Sequence, residues 1–276
     1  MHLRFATLVR SFAALVALVA AAAAPAADPS KVYRIAFPTA ETGFDPARVS
    51  DLYSNTVNEA IFERLLTYDY LARPAKLVPL VAEAMPQVTE NGRVYTFRIR
   101  RGIHFTPDPA FKGRKRELVA ADFAYTIKRH ADPKNRSPWA FMVEGRIAGL
   151  DTLIEQAKKT GRFDYDAKIP GIETPDPYTL VIRLGAPDYL FNYSGAHAPH
   201  GAIARDVVEA CGEDIGAHPV GTGPYVLKEW KRASRIVLEA NPDYRGFTWD
   251  FAPAEPAWDD VIVKAMLGKK MPRIGR

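Results

Sequence analysis
Residues 219–225 read Pro-Val-Gly-Thr-Gly-Pro-Tyr, and the apolar residues Val226 and Leu227 follow directly. Glycine opens backbone angles that other residues avoid, and proline fixes φ near one value. Two glycines around Thr222, closed by Pro224, therefore specify a shaped turn that feeds a strand. Tyr225–Trp230 and Arg235–Glu239 read as paired strands after it, with Asn241-Pro242-Asp243-Tyr244 closing the stretch. A phosphate-cradling loop would end in Gly-Lys-Ser or Gly-Lys-Thr and open a helix, and neither follows here.

The rest of the chain alternates between the two hydrophobic periods. Val32–Phe37 reads as a short strand. Tyr53, Val57, Ile61 and Leu65 share one face of a helix for which Ser50 can serve as the cap. Asn91-Gly92 marks a tight turn between Pro86–Glu90 and Val94–Arg100. In the second of these runs Tyr95, Phe97 and Ile99 alternate with Thr96, Arg98 and Arg100, so one face is expected to be buried and the other wet. Leu118–His130 and Leu150–Thr160 read as helices, the latter stopped by Gly161 in the left-handed region. Tyr178–Leu184 reads as a strand, Arg205–Cys211 as a helix ending at Gly212, and Val261–Ala265 as one more strand. The pattern is that of an α/β protein.

Of the 276 residues only Cys211 is a cysteine, so an internal disulfide is excluded and stability must come from the core. Arg4 and Arg10 with the apolar run Phe12–Ala24, followed by Ala24-Pro25-Ala26, form a cleavable export leader over residues 1–26. The run is short and alanine-rich for a membrane anchor. The formal charge is +5. It comes from the ends: Arg4 and Arg10 in the leader, and Lys269, Lys270, Arg273 and Arg276 in the tail. The near-neutral body argues against a nucleic-acid surface. Its one basic run, Lys112–Arg116, reads as a solvated loop.

Catalytic chemistry finds little support. His197-Ala198-Pro199-His200, with Cys211 and His218 downstream, has spaced metal-ligand types. Pro199 opposes the helix that would align them, and no Glu lies between, so loop histidines near a cleft are expected rather than a metal. Cys211 reads as a structural cysteine, no serine elbow is present, and the Asp259-Asp260 pair is too common a feature to imply sugar chemistry. No catalytic residue, metal or cofactor is expected.

Several further runs occur in order. They are Gly43-Phe44-Asp45-Pro46-Ala47, Ile61–Asp69, Leu77–Glu83, Asn91-Gly92 with Tyr95–Arg100, Gly102-Ile103-His104-Phe105, and Leu118–Phe123. Pro219–Tyr225 and Asn241–Tyr244 complete the series. Together, across residues 31–263, they resemble the extracellular solute-binding proteins of family 5, the peptide, nickel and related receptors of bacterial ABC importers. Phe105–Phe111 with Asp132-Pro133 is similar to a branch handling oligopeptides or comparably complex solutes.

The resemblance implies a periplasmic binding protein-like α/β fold of the class II type, with a first lobe of two subdomains. Residues 27–52 and 188–262 would form the discontinuous core of that lobe, residues 53–187 the inserted subdomain, and residues 263–276 the start of a hinge with an atypical basic tail. Family members are considerably longer, and the second lobe is expected to be missing. Premature termination accounts for such an end, and an authentic short member is the alternative. The implied function is non-catalytic capture of a peptide or similar small solute by lobe closure, as a monomer in the periplasm, for an inner-membrane ABC permease. A non-binding remnant or interaction domain is the other reading. The implied cleft rim is the loop after the first strand, with Ala40, Glu41, Thr42, Gly43 and Phe44, joined by Tyr193 and His197. Glu41 would meet a positive group on the solute or stand as a solvated carboxylate.

Overall fold
Buried alternation on strands and buried stripes on helices determine which faces of this chain meet. The computed structural model describes residues 31–70 and 72–246. The chain divides into two units, Met1–Tyr244 and Arg245–Arg276, and every helix and strand described belongs to the first. The leader, the Val261–Ala265 strand, the Asp259-Asp260 pair and the basic tail lie outside the described residues.

Helix α1 (Leu52–Ile61) buries Ser54, Val57, Asn58 and Ile61. Asp51 caps it, accepting from Ser54 N at 2.8 Å, so the cap is one residue later than Ser50. The carboxylate wins because it reaches the free amide of the first turn. Leu65 is buried, but it follows the helix rather than belonging to it. Strands β1 (Leu66–Tyr68) and β2 (Leu77–Pro79) pair antiparallel.

A four-stranded antiparallel sheet follows. It comprises β3 (Gln87–Thr89), β4 (Val94–Arg98), β5 (Ile172–Asp176) and β6 (Thr179–Arg183), in the order β3-β4-β6-β5. Its first hairpin turns through Glu90, Asn91 and Gly92, all at positive φ. Tyr95, Phe97 and Ile99 are buried to 1% exposure or less, while Arg98 and Arg100 are exposed. The pleat thus has the two faces that the alternation requires.

Helix α2 (Ala120–Ala131) starts two residues later than the apolar pattern suggests, because Val119 is still extended. Asp122 holds that start: its carboxylate accepts from Val119 N at 2.8 Å and from both terminal nitrogens of Arg116. Arg116 also reaches Asp206, so the basic run is a loop whose last member is structural. Helix α3 (Leu150–Thr160) stops at Gly161, whose φ is +72°. Helix α4 (Arg205–Cys211) ends at Gly212. Cys211 is half-buried, and burial, with Asp108 and Asp214 nearby, pushes its thiol pKa up. Strands β7 (Tyr225–Lys231) and β8 (Arg235–Ala240) form the expected hairpin. Among the described residues no helix is long and apolar enough to cross a membrane.

The expected first strand is not one. Val32–Phe37 makes no ladder among the described residues, and Val32, Tyr33 and Ile35 are 64%, 88% and 60% exposed. Alternation marks strand propensity, but a strand also needs a neighbour. An unpaired, proline-free apolar run of this kind is adhesive. Ile35→Lys is therefore expected to raise the concentration at which the protein stays monodisperse by light scattering. An unchanged limit would show that the segment does not set it.

Candidate functional site
The expected rim is built around α1. The loop ahead of it is fixed by its own backbone: Thr42 N donates to Ser54 Oγ at 3.0 Å, and Phe44 N donates to Gly216 O at 2.9 Å. Thr42 Oγ1 donates to Asp51 Oδ2 at 2.6 Å. Successive side chains part company along this loop. Ala40 and Thr42 are exposed, whereas Glu41, Gly43 and Phe44 are buried. Phe44 sits edge-on to Trp230 with ring centroids 4.9 Å apart.

Glu41 is 5% exposed, so it is not a solvated loop carboxylate. Its Oε1 accepts from Trp230 Nε1 at 2.5 Å and from Ala233 N at 3.1 Å, which pins the β7–β8 hairpin to the loop. Burial works to raise its pKa. The bonds from Trp230 and Ala233, with Arg232 nearby, together outweigh that and hold the carboxyl below its ordinary value.

Tyr193 and His197 lie on a run of 3-10 turns, Phe191–Ala196 and Ala198–His200. Tyr193 is exposed, its ring 6.3 Å from that of Tyr68 on β1. His197 is half-buried, and its ring lies 4.9 Å from Trp139. Burial lowers the His197 pKa and Arg64 adds to the effect, with Glu59 opposing. Trp139 links the two expected groups. Its indole N–H donates to Val49 O at 2.7 Å, between the loop and α1, while its ring packs on His197. Phe141, 66% exposed, extends the aromatic surface at 6.4 Å from Trp139. The structure therefore brings His197 to the approach of α1 through a tryptophan that no periodic pattern marks.

His200 does not share a ligand set with His197. It is buried, and its Nδ1 donates to Ser194 O at 2.6 Å. Among the described residues no group of three His, Cys, Asp or Glu side chains is arranged to hold a metal ion.

The glycine turn is scaffold. Gly223 N donates to Ile61 O at 2.8 Å, and Thr222 Oγ1 donates to Glu63 Oε2 at 2.9 Å in a buried contact. Asn241 closes the turn by donating to Gly223 O and Pro224 O at 2.9 and 2.8 Å. The turn thereby clamps the C-terminal end of α1, whose far end carries the rim loop.

Comparison with known proteins gives a consistent set of relatives. The model of bacterial extracellular solute-binding proteins, family 5 (middle) matches residues 76–269. The periplasmic oligopeptide-binding protein OppA of Salmonella typhimurium is 30% identical over 249 residues, covering 86% of this chain and 42% of its own length. Di/tripeptide-binding protein 2 of Pseudomonas aeruginosa is 28% identical, covering 93% and 45%. Among solved structures, Burkholderia pseudomallei OppA superposes with a TM-score of 0.62 at 27% identity, over 76% of this chain and 38% of that one. Helicobacter pylori DppA, in complex with the peptide STSA, gives 0.59 at 25% identity, over 74% and 38%. The chain thus spans less than half the length of the relatives it matches.

Proposed function
Because this chain belongs to the bacterial extracellular solute-binding proteins of family 5, we propose that it serves to capture peptides or related solutes for an inner-membrane ABC permease, without catalysis of its own. The observation that carries this reading is what the relatives are named for: those matched over most of the chain include binding proteins for oligopeptides, for di- and tripeptides and for glutathione. Export through a cleaved leader at residues 1–26 places it in the periplasm, as a monomer.

In this reading residues 27–52 and 188–262 form the core of a lobe and residues 53–187 an inserted subdomain. The four-stranded sheet, α2 and α3 fall wholly within the second range. The Glu41 bonds to Trp230 and Ala233 join the two pieces of the first. The rim that would meet solute consists of the exposed Ala40 and Thr42 with Tyr193 and His197. The buried Glu41, Gly43 and Phe44 would act by fixing the loop's shape. An extended peptide would be held largely through its backbone, with side chains in roomy, wet pockets, which gives affinity with loose sequence selectivity.

Thermal-shift and calorimetric titration with mixed di-, tri- and longer peptides tests this. A peptide present at a hundred times its Kd is expected to stabilise the protein by about 2.7 kcal/mol. The absence of any shift or heat across all peptide lengths would show that this chain does not capture solute by itself, the behaviour of a non-binding remnant or an interaction domain.

A further inference from the structure
The run that carries Tyr193 and His197 is held by two buried imidazoles, one reaching it from α2 and one bracing it from within. His130, on α2, donates from Nε2 to Pro199 O at 2.9 Å, and its Nδ1 lies 2.9 Å from Ser137 Oγ, from which it accepts. His200 donates from Nδ1 to Ser194 O at 2.6 Å. A carbonyl can only accept, so these contacts place a proton on His130 Nε2 and on His200 Nδ1, and in the neutral rings the other nitrogen carries a lone pair. The rings meet edge to face, with centroids 4.9 Å apart, at 1% and 7% exposure.

Neither ring has a carboxylate to welcome a second proton. The charged and titratable groups that act on them are His197, Arg129 and Arg146, all cationic or potentially so. Arg129 and Arg146 are themselves paired, with Asp45 and Asp188. The remaining nitrogen of His200, Nε2, has no partner and is buried. His200 also lines a cavity of about 30 Å³ whose other walls are mainly apolar, among them Phe97, Phe123 and Phe191. A proton placed on Nε2 would create an N–H with no acceptor beside a second ring it would repel.

We propose that His130 and His200 form an acid-sensitive latch, in which protonation of the pair releases residues 194–200 from α2. The sign follows from the environment. Burial holds both imidazoles below the ordinary 6.5, His200 at about 4. The latch is therefore fully closed above pH 6.5 and weakens as pH falls toward the lower value. Its meaning for solute, release of the Tyr193 and His197 side of the rim in acid, rests on the function proposed above. The latch itself does not, and the test uses no solute, so the two ideas fail separately.

Hydrogen exchange on the whole protein, corrected for intrinsic rates, reads the latch directly. The opening constant of residues 194–200 is expected to rise on the order of a hundredfold by about pH 5.5, about tenfold for each imidazole, and to rise further by about pH 4.5. The amides of β4 and β6 should keep their protection over the same range. The double variant His130→Gln, His200→Gln should flatten the dependence. Constant protection of 194–200 in the native protein would overturn the latch, as would loss of protection in the sheet at the same pH. Should the double variant not fold, imidazole NMR of the native protein decides. Rings that stay neutral until the segment opens support the latch, and rings that titrate near 6.5 in a closed segment overturn it.

Discussion

Arg129→Ala is expected to cost about 3–5 kcal/mol of stability. Its guanidinium grips Asp45 with two bonds, 2.7 and 2.9 Å, and the partners are only 3% and 2% exposed. Removing the cation leaves a buried carboxylate with only the longer and more exposed contact to Arg48, and a poorly compensated buried charge costs far more than a surface ion pair yields. Asp45 has two further contacts. Its Oδ1 accepts from Ala47 N at 3.1 Å, and Arg48 Nε lies 3.5 Å from Oδ2. The aspartate in the Gly43–Ala47 run is thus what orients the chain between the rim loop and α1. Against a total folding stability of about 5–15 kcal/mol, the loss would take many molecules out of the native state. Urea denaturation checks it. A loss under about 1 kcal/mol would mean that water reaches Asp45 and that the pair is ordinary surface electrostatics. Replacing both partners with apolar residues of similar volume should recover part of the loss, since no lone charge then remains.

Gly221→Ala should be damaging to a similar degree, by a steric route. A Cβ at that position would run into the carbonyl of Ile61, at the end of α1. At Gly223 a Cβ would lie 2.6 Å from Ala60 O. Backbone cannot swing aside as a side-chain tip can, so about 3 kcal/mol or more is expected, the upper part of the range for overpacked sites. Gly113→Ala supplies the comparison. Its φ is +76°, yet a Cβ there meets nothing within 4 Å. Left-handed strain without collision should cost about 1–2 kcal/mol. Thermal or urea denaturation of the two variants separates contact from conformation. Equal losses would show that close approach to α1 is not why the turn needs glycine.

These two sites also indicate how far sequence reasoning carries. The glycine turn, the β7–β8 hairpin, α3 with its Gly161 stop and the Asn91-Gly92 hairpin are all local. Their patterns lie within a few residues of the structures they specify, and each is where the pattern places it. Asp51 rather than Ser50 is the cap because two neighbouring capping residues compete, and it is the Asp51 carboxylate that accepts from Ser54 N. Val32–Phe37 has the composition of a strand, but pairing is a property of two segments. The rim loop was placed by resemblance, and nothing local could tell that Glu41 would turn inward, since its partners are Trp230 and Ala233. Trp139 escaped notice for a similar reason. A single tryptophan in a proline-containing loop has no period, and only the fold brings His197 onto its ring.

The bond from Trp230 to Glu41 spans 189 positions. A polypeptide that emerges amino end first, from a ribosome or across a bilayer, exposes its rim loop long before the indole that secures it exists outside. Closing so distant a contact is slow, and structure rich in such contacts forms late. The rim loop of this molecule therefore stays pliable until residue 230 has been delivered.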